Sequence, residues 1–316
     1  MRTRATELFD IEAPVFCGGM LHFGEPNLAA AISNAGGLGS LTACNYDDPE
    51  DLRAAIGRTR ERTAHPFGVN ITMLPSRFGQ KQYDAWYRIC FEEGVAAIEA
   101  SGFPADRYVA AAHEAGVKMI QKVGCVKHAV HAEKVGFDAV YAAGYEEGGH
   151  PLSDNVTTMM LVPRVVDSVS IPVIAAGGIA DGRGLAAALA LGAEGVMMAT
   201  RFLLSDESLL GSEVAQSLLS FSEQDTCLLY ENEFQQRAVR NAQAYKVKEL
   251  ERAGRPKREA APLLRGALML EANVRGDADV AVWALGQSVG LIDRRERCEA
   301  IVSRMVREAK CILNRS

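Results

Sequence analysis

Short apolar segments alternate with longer amphipathic ones through the first two thirds of the chain. The apolar segments are bounded by glycine or proline, recur every 20 to 33 residues or so, and cover residues 14–17, 37–41, 66–71, 96–100, 117–122, 139–142, 172–176 and 195–198. Amphipathic or alanine-rich stretches typical of helices lie between them, at residues 27–34, 49–61, 80–93, 106–115, 127–135, 157–169 and 181–191. The pattern predicts eight strands connected by helices.

These strands are predicted to form a closed parallel barrel. A continuous apolar run such as residues 172–176 is typical of a strand that is buried on both faces, and parallel strands need crossover helices of about this length. Eight units within roughly 200 residues favour a (β/α)8 TIM barrel over an open, doubly wound sheet. The open alternative also lacks its dinucleotide fingerprint, because Gly18, Gly19 and Gly24 do not have the G-x-G-x-x-G spacing.

The pattern changes after residue 205. Residues 213–254 are polar and helix-forming, residues 252–258 contain Gly254 and Pro256 and predict a turn, and residues 294–312 carry apolar positions at helical spacing. We therefore predict a barrel at residues 1–205, a helical appendage at 206–285, and C-terminal helices that pack back on the barrel at 286–316.

Composition narrows the function to small-molecule chemistry. A net charge of -6 and a pI near 5.6 disfavour nucleic acid and anionic membrane surfaces as partners. No segment reaches the ~20 apolar residues of a membrane span, and the N-terminus lacks a signal-peptide pattern. The seven cysteines form no CxxC pair, so neither a disulfide framework nor a metal site is expected. We expect a cytoplasmic enzyme, and a homodimer as its assembly.

Two strand ends predict a phosphate site. The seventh strand runs into Gly177 and Gly178, and the eighth into Thr200 and Arg201. In (β/α)8 barrels a phosphate site recurs after these two strands. Adjacent glycines let the backbone approach a phosphate, Asp181 is suited to cap the following helix, and arginine offers a guanidinium fork. Taken singly, the glycines are better explained by a tight turn, and Arg201 by a surface position.

His150 is the strongest candidate for proton transfer. Of six histidines it alone follows a strand end through a glycine-rich loop, residues 144–150. An imidazole with an ordinary pKa of about 6.5 can accept a proton from an acidic carbon near neutral pH. His22 and Tyr145 are secondary candidates for a substrate pocket, with ordinary loop packing as the alternative.

Several motifs together resemble the nitronate monooxygenase superfamily, which also contains FMN-dependent enoyl-acyl-carrier-protein reductases and NADH:quinone reductases. The motifs span nearly the whole chain: residues 18–20, 34–39, 67–72, 148–150, 174–202, 276–279 and 286–287. One position departs from the pattern, since Cys17 stands where many relatives have glutamine. That difference puts one polar contact to the flavin in doubt.

The resemblance implies FMN as the cofactor and a set of contacts to it. It places Gly18, Gly19 and Met20 beside the flavin ring, Asn70 and Lys122 at its polar edge, Gly148 and Gly149 close by, and Ala176, Gly177, Gly178, Ala199 and Thr200 around the phosphate. Chemistry agrees, because an amide can bond the amide-like edge of the ring and a lysine near N1 can stabilise the reduced flavin. The alternative for Asn70 is a cap at the end of its strand, and the alternative for Lys122 is a solvated lysine at a strand end.

Three activities follow from the resemblance. In this family the histidine that matches His150 is the proposed base. The first is oxidation of alkyl nitronates with O2, with His150 as that base. The second is NAD(P)H-dependent reduction of quinones, and the third is NAD(P)H-dependent reduction of enoyl thioesters. A non-catalytic flavin-binding barrel is the remaining reading. The sequence leaves the electron donor and the substrate open.

Overall fold

Eight parallel strands form the centre of the molecule. The computed structural model describes residues 1–74, 78–152, 154–231 and 234–314. The strands are β1 (Val15–Cys17), β2 (Gly39–Thr42), β3 (Phe67–Met73), β4 (Ala97–Gly102), β5 (Lys118–Val123), β6 (Ala139–Ala143), β7 (Val173–Ala176) and β8 (Gly195–Met198). Each pairs with its neighbours in chain order, β8 pairs with β1, and a bridge between Phe16 and Leu38 brings β1 against the start of β2. The predicted (β/α)8 barrel is confirmed.

Helices surround the barrel where the amphipathic pattern predicts them. They are α1 (Arg4–Phe9), α2 (Pro26–Asn34), α3 (Pro49–Arg60), α4 (Gln80–Glu93), α5 (Val109–Glu114), α6 (Val126–Val135), α7 (Thr158–Val166), α8 (Gly182–Ala190) and the short α9 (Thr200–Leu203). Local signals fix their starts: Asp48 precedes Pro49 and accepts a hydrogen bond from Glu50 N, and the predicted cap Asp181 accepts from Arg183 N and Gly184 N.

Helix α1, which the apolar pattern did not indicate, closes the N-terminal end of the barrel. Its residues Ala5 and Phe9 are buried with Phe16 and Tyr141 inside the strands. Phe9 and Phe16 meet edge to face, with ring centroids 5.4 Å apart. This end is therefore filled with apolar side chains, which leaves the opposite, C-terminal end of the strands for a ligand.

The appendage contains a pair of strands as well as helices. Its elements are α10 (Ser212–Leu218), β9 (Thr226–Leu229), β10 (Gln236–Val239), α11 (Ala242–Arg252), α12 (Lys257–Ala260) and α13 (Ala267–Arg275). The prediction of a helix-forming run over 213–254 was wrong in its middle, because β9 and β10 pair antiparallel there. Each strand has only four residues, too few for a clear alternation. The boundaries at 205 and 285 stay predictions.

The last helix, α14 (Cys298–Leu313), lies against α8. Met305 and Ala309 are buried in this contact, and Glu308 accepts a hydrogen bond from Gly182 N at 3.2 Å. Within the described ranges, no helix combines the length and apolar character that crossing a membrane requires.

Candidate active site

A cavity of about 960 Å³ opens at the C-terminal end of the barrel. The structure brings twelve of the predicted site residues to its wall: Gly18, Gly19, Met20, Asn70, Lys122, Gly148, Gly149, His150, Gly177, Gly178, Ala199 and Thr200. They come from the ends of six different strands, which is where this fold builds its active sites.

Three predicted residues do not line the cavity. Ala176 is buried in β7, where its carbonyl accepts from Gly144 N at 2.9 Å. Tyr145 faces the appendage, with the Arg237 guanidinium 4.2 Å above its ring. His22 packs near Gly266, and its backbone N–H donates to Asn45 Oδ1 at 2.7 Å. Ordinary loop packing therefore accounts for His22 and Tyr145.

Two glycines at the end of β7 form one side of the cavity. Gly177 and Gly178 have φ angles of 92° and 71°, a region that side chains rarely adopt. A Cβ on Gly177 would lie 3.0 Å from Gly144 O. After the neighbouring strand β8, the Thr200 hydroxyl accepts a hydrogen bond from Gly286 N at 3.1 Å. This is an open stretch of backbone suited to a phosphate group.

The polar edge of the cavity is built on β3, β4 and β5. Asn70 receives a hydrogen bond on Oδ1 from Thr72 at 2.9 Å, and its Nδ2 donates to Ser101 Oγ at 3.5 Å, so the amide is held on both sides at the cavity wall. A Cβ on Gly19 would lie 2.3 Å from Asn70, so only glycine fits against that amide. Burial raises the pKa of Glu99, and the nearby Lys122 ammonium opposes that rise.

Lys122 is paired with Glu147, a residue that the sequence did not single out. The Lys122 Nζ and Glu147 Oε2 atoms are 2.7 Å apart, and both residues line the cavity. Burial raises the pKa of Glu147, while Lys122 and, more weakly, Arg237 oppose the rise. No motif marked Glu147, because its importance depends on a lysine from another strand.

His150 lines the cavity in a defined tautomer. Its Nδ1 is 2.8 Å from the carbonyl oxygen of Gln235, which can only accept, so Nδ1 carries the proton and Nε2 keeps its lone pair. The Phe234 ring stacks on the imidazole at 4.3 Å. Burial lowers the pKa of His150 to about 4, so the ring is neutral at neutral pH. Neutral imidazole with a vacant Nε2 is a base.

The appendage holds the histidine loop, residues 144–150, in place. Gly149 forms an antiparallel bridge with Arg237 of β10, and the buried Arg237 donates to Tyr145 O at 3.1 Å and to Thr226 Oγ1 at 3.0 Å. On the other side, a Cβ on Gly148 would lie 2.2 Å from Ala284 O. The predicted helical appendage thus contributes a strand that positions His150. The sequence did not predict this role for the strand, nor the contacts that Gln235, Phe234 and Arg237 make with the histidine loop.

Comparison with known proteins agrees with this geometry. The profile of the nitronate monooxygenase family matches residues 2–308.

The chain belongs to the nitronate monooxygenase family.

Among solved structures, the chain is similar to FabK from Thermotoga maritima, with 39% identity, a TM-score of 0.91, and coverage of 99% of this chain and 97% of that one. It is also similar to a nitroalkane oxidase from Streptomyces ansochromogenes, with 26% identity, a TM-score of 0.85, and coverage of 97% and 98%. A curated relative from Rhodococcus jostii, a hydroxy-methyl-oxo-octahydro-indene-carboxyl-CoA dehydrogenase, is 35% identical over 98% of this chain and 96% of its own. The superfamily resemblance is confirmed, and this family member is an FMN-dependent oxidoreductase.

The residues present fit a flavin cofactor. The glycines at the end of β7 offer backbone to a phosphate, and Gly18 is held close to Met197, where a Cβ would lie 2.5 Å from Sδ. The Asn70 amide and the Lys122 ammonium are polar groups of the cavity wall that suit the polar edge of a ring. Cys17 has no part in this, since it is buried in the core outside the cavity wall.

Arg201 does not line the cavity with Gly177 and Gly178, whereas the prediction joined the three residues in one phosphate site. Its side chain is 2% exposed and turns away from the barrel axis. The guanidinium donates to Leu204 O at 2.9 Å and to Arg294 O at 2.8 Å, and it borders a separate pocket. Burial lowers its pKa to about 10. Successive residues at the start of a helix point in different directions, which separates Arg201 from Thr200.

Replacing Arg201 with methionine is therefore expected to lower stability without weakening FMN binding. The change leaves the Leu204 and Arg294 carbonyls without this donor, so we expect the free energy of unfolding to fall by about 1–3 kcal/mol. Denaturant unfolding and FMN titration measure the two effects. Arg183→Met, at an exposed position on α8, is the control and should change stability by less than about 0.5 kcal/mol. A large loss of FMN affinity in Arg201→Met would contradict the assignment.

Proposed function

We propose that this protein oxidises alkyl nitronates with O2, with FMN in the cavity and His150 as the base. The tautomer of His150 carries the proposal, because the bond from Nδ1 to the Gln235 carbonyl leaves the lone pair of Nε2 to accept the acidic α-proton of a nitroalkane, which forms the nitronate that is then oxidised. The low pKa of the ring, about 4, keeps that lone pair available at neutral pH.

The other residues would bind and orient. Gly177, Gly178 and Thr200 would hold the FMN phosphate, and Asn70 and Lys122 would bond the polar edge of the ring, since all five line the cavity. Phe234 covers one face of the His150 imidazole and shields it from water. FMN, when bound, takes electrons from the substrate and passes them to O2.

A second candidate is NAD(P)H-dependent reduction of an enoyl thioester. The cavity supports it with apolar side chains beyond His150, namely Leu152, Phe234, Leu264, Met269 and Val282, which would accommodate an acyl chain. Similarity over nearly the full length to FabK and to a CoA-ester dehydrogenase supports it as well. Quinone reduction stays a prediction, since no contact in the described cavity favours it.

Anaerobic reduction of the bound FMN separates the candidates. The purified protein is mixed with ethyl nitronate, NADH or NADPH, each alone, and the visible absorbance of the flavin is followed. We expect the nitronate to bleach the flavin and O2 to restore it. Bleaching by a nicotinamide alone, followed by reoxidation with an enoyl-CoA, would overturn the nitronate proposal in favour of thioester reduction. No bleaching by any of them would favour a non-catalytic barrel.

We also propose a cytoplasmic location and a homodimer. None of the seven cysteines, all within the described residues, forms a disulfide, which supports a reducing compartment. Met159 and Met160 on α7 are 64% and 60% exposed, which supports an interface on that face. Light scattering measures the mass, and a monomer at micromolar concentration would contradict the dimer.

A further inference from the structure

Lys122 faces two buried carboxyl groups at the polar edge of the cavity. One is Glu147, whose Oε2 lies 2.7 Å from Nζ. The other is Glu99 on the adjacent strand, which is 5% exposed; burial raises its pKa, and the charge of Lys122 opposes that rise. The two carboxyl groups also repel each other, as the effect of Glu99 on the pKa of Glu147 shows. A single ammonium therefore serves two acidic groups, and it is not a free positive charge.

Glu147 is the fixed member of its pair with Lys122. Its backbone N–H donates to Gly144 O at 3.1 Å, and the next residue, Gly148, packs directly on the backbone at Ala284. Lys122 carries its charge on a flexible four-carbon stem with rotatable donors. The Glu147 side chain is 9% exposed and that of Lys122 is 21% exposed, so the carboxylate has less room to move and determines where the ammonium lies.

The charge near a flavin influences how readily it is reduced. An unpaired ammonium near the ring favours the negatively charged reduced form, whereas an ammonium in contact with a carboxylate contributes a smaller net field. In a buried site this difference is poorly screened by salt.

We infer that Glu147 is a positioning residue that holds Lys122 and balances its charge, and so keeps the reduction potential of the bound FMN lower than Lys122 alone would set it. Glu147 acts through Lys122 and needs no contact with the substrate. The inference rests on the proposed FMN site, and it does not depend on which substrate the enzyme oxidises.

The test is the potential of the bound flavin in Glu147→Gln, measured by anaerobic titration against a reference dye at pH 7. We expect a more positive potential, corresponding to a roughly tenfold larger ratio of reduced to oxidised flavin, or about 30 mV for two electrons. Sulfite, which binds oxidised flavins more tightly when positive charge lies nearby, should bind the variant more tightly too. Glu147→Asp keeps the charge and should stay close to the wild-type potential.

Glu146→Gln is the matched control. Glu146 is adjacent in the same loop, but its carboxylate accepts from Thr158 N and Thr158 Oγ1, both at 2.9 Å, and does not contact Lys122. The same chemical change there should leave the potential unaltered. An equal shift in Glu146→Gln would show that any disturbance of the loop produces the effect, and would overturn the inference.

A double-mutant comparison tests the route through Lys122. In a Lys122→Met background, adding Glu147→Gln should move the potential much less than it does in the wild type. Where Glu147→Gln alone fails to fold, the shift between Lys122→Met and the double variant is still measurable, and a shift of about 30 mV between them refutes the role. An undiminished shift in the Lys122→Met background, or a wild-type potential in Glu147→Gln, refutes the role.

The outcomes also separate this inference from the proposed reaction. If nitronate does not bleach the flavin but Glu147→Gln still raises the potential, the reaction is wrong and the inference stands. If the purified protein takes up no FMN, the proposed site and the inference fail together.

Discussion

Replacing His150 with asparagine is expected to lower kcat/KM for nitroethane, whose α-proton must be removed before oxidation, by about 10²- to 10⁴-fold, which is the usual contribution of a general base. Asparagine has no basic lone pair to replace Nε2, although it can still bond the Gln235 carbonyl. The flavin should stay bound, since the glycines of the phosphate side are untouched. Steady-state kinetics and the visible spectrum of the purified variant give both results.

His131→Asn is the matched control for that experiment. His131 is exposed on α6 and pairs with Asp106 at 2.7 Å, away from the cavity wall. Its replacement should leave kcat/KM unchanged. Loss of flavin from His150→Asn, instead of loss of rate, would show that His150 supports the fold and is not the base.

The pH profile gives an independent view of the same group. Because burial lowers the pKa of His150 to about 4, its base form is populated above that value and is lost below it. The acid limb of kcat/KM should therefore fall near pH 4 and be absent in His150→Asn. A limb near 6.5, the ordinary pKa of histidine, would mean that the imidazole is solvated in the working enzyme.

Much of the barrel could be predicted from the sequence, because each strand and each helix is marked by a pattern within its own residues. Strands buried on both faces leave continuous apolar runs, and helices between them carry their own caps, as Asp48 and Asp181 do. The helix α1 was not predicted, since six residues are too few for a periodic signal. The strands β9 and β10 were not predicted either, because they have only four residues each. In addition, an arginine normally predicts an exposed position, whereas Arg237 is buried.

Site residues could be predicted from the sequence where the barrel topology alone determines their position. Residues at the C-terminal ends of strands converge in a barrel, so Asn70, Lys122 and His150 share one cavity although they are far apart in sequence. Glu147 and Gln235 could not be found this way, because each matters through a partner on another element. Arg201 was misplaced because adjacent residues on α9 face different ways, which sequence proximity to Thr200 conceals.

Gly148→Ala is expected to lower kcat/KM by about 10²-fold, although the residue carries no side chain and no charge. A Cβ there would lie 2.2 Å from Ala284 O and 2.7 Å from Gly286 N, and both are backbone atoms. Gly286 is itself fixed by its bond to Thr200 Oγ1 at 3.1 Å, so the histidine loop must give way. A displacement of about 1 Å at catalytic groups is enough for a loss of this size.

Gly94→Ala separates this steric effect from backbone strain. Gly94 ends α4 with a φ of 58°, and no atom lies within 4 Å of a Cβ built on it. Alanine there should cost about 1–2 kcal/mol of stability through its left-handed backbone and leave kcat/KM intact. Urea unfolding and kinetics of both variants make the comparison, and equal activity losses would contradict the contact at Ala284 as the cause.

The Gly148→Ala variant also connects the two functional side chains of the loop. Glu147 precedes Gly148 and His150 follows it by two residues, so one displacement should disturb the pair with Lys122 and the bond to Gln235 together. We therefore expect the flavin potential to move in the same direction as in Glu147→Gln while the rate falls as in His150→Asn. A fall in rate with an unchanged potential would mean that the loop is displaced only near His150. It would also mean that Lys122 determines the position of Glu147, and not the reverse.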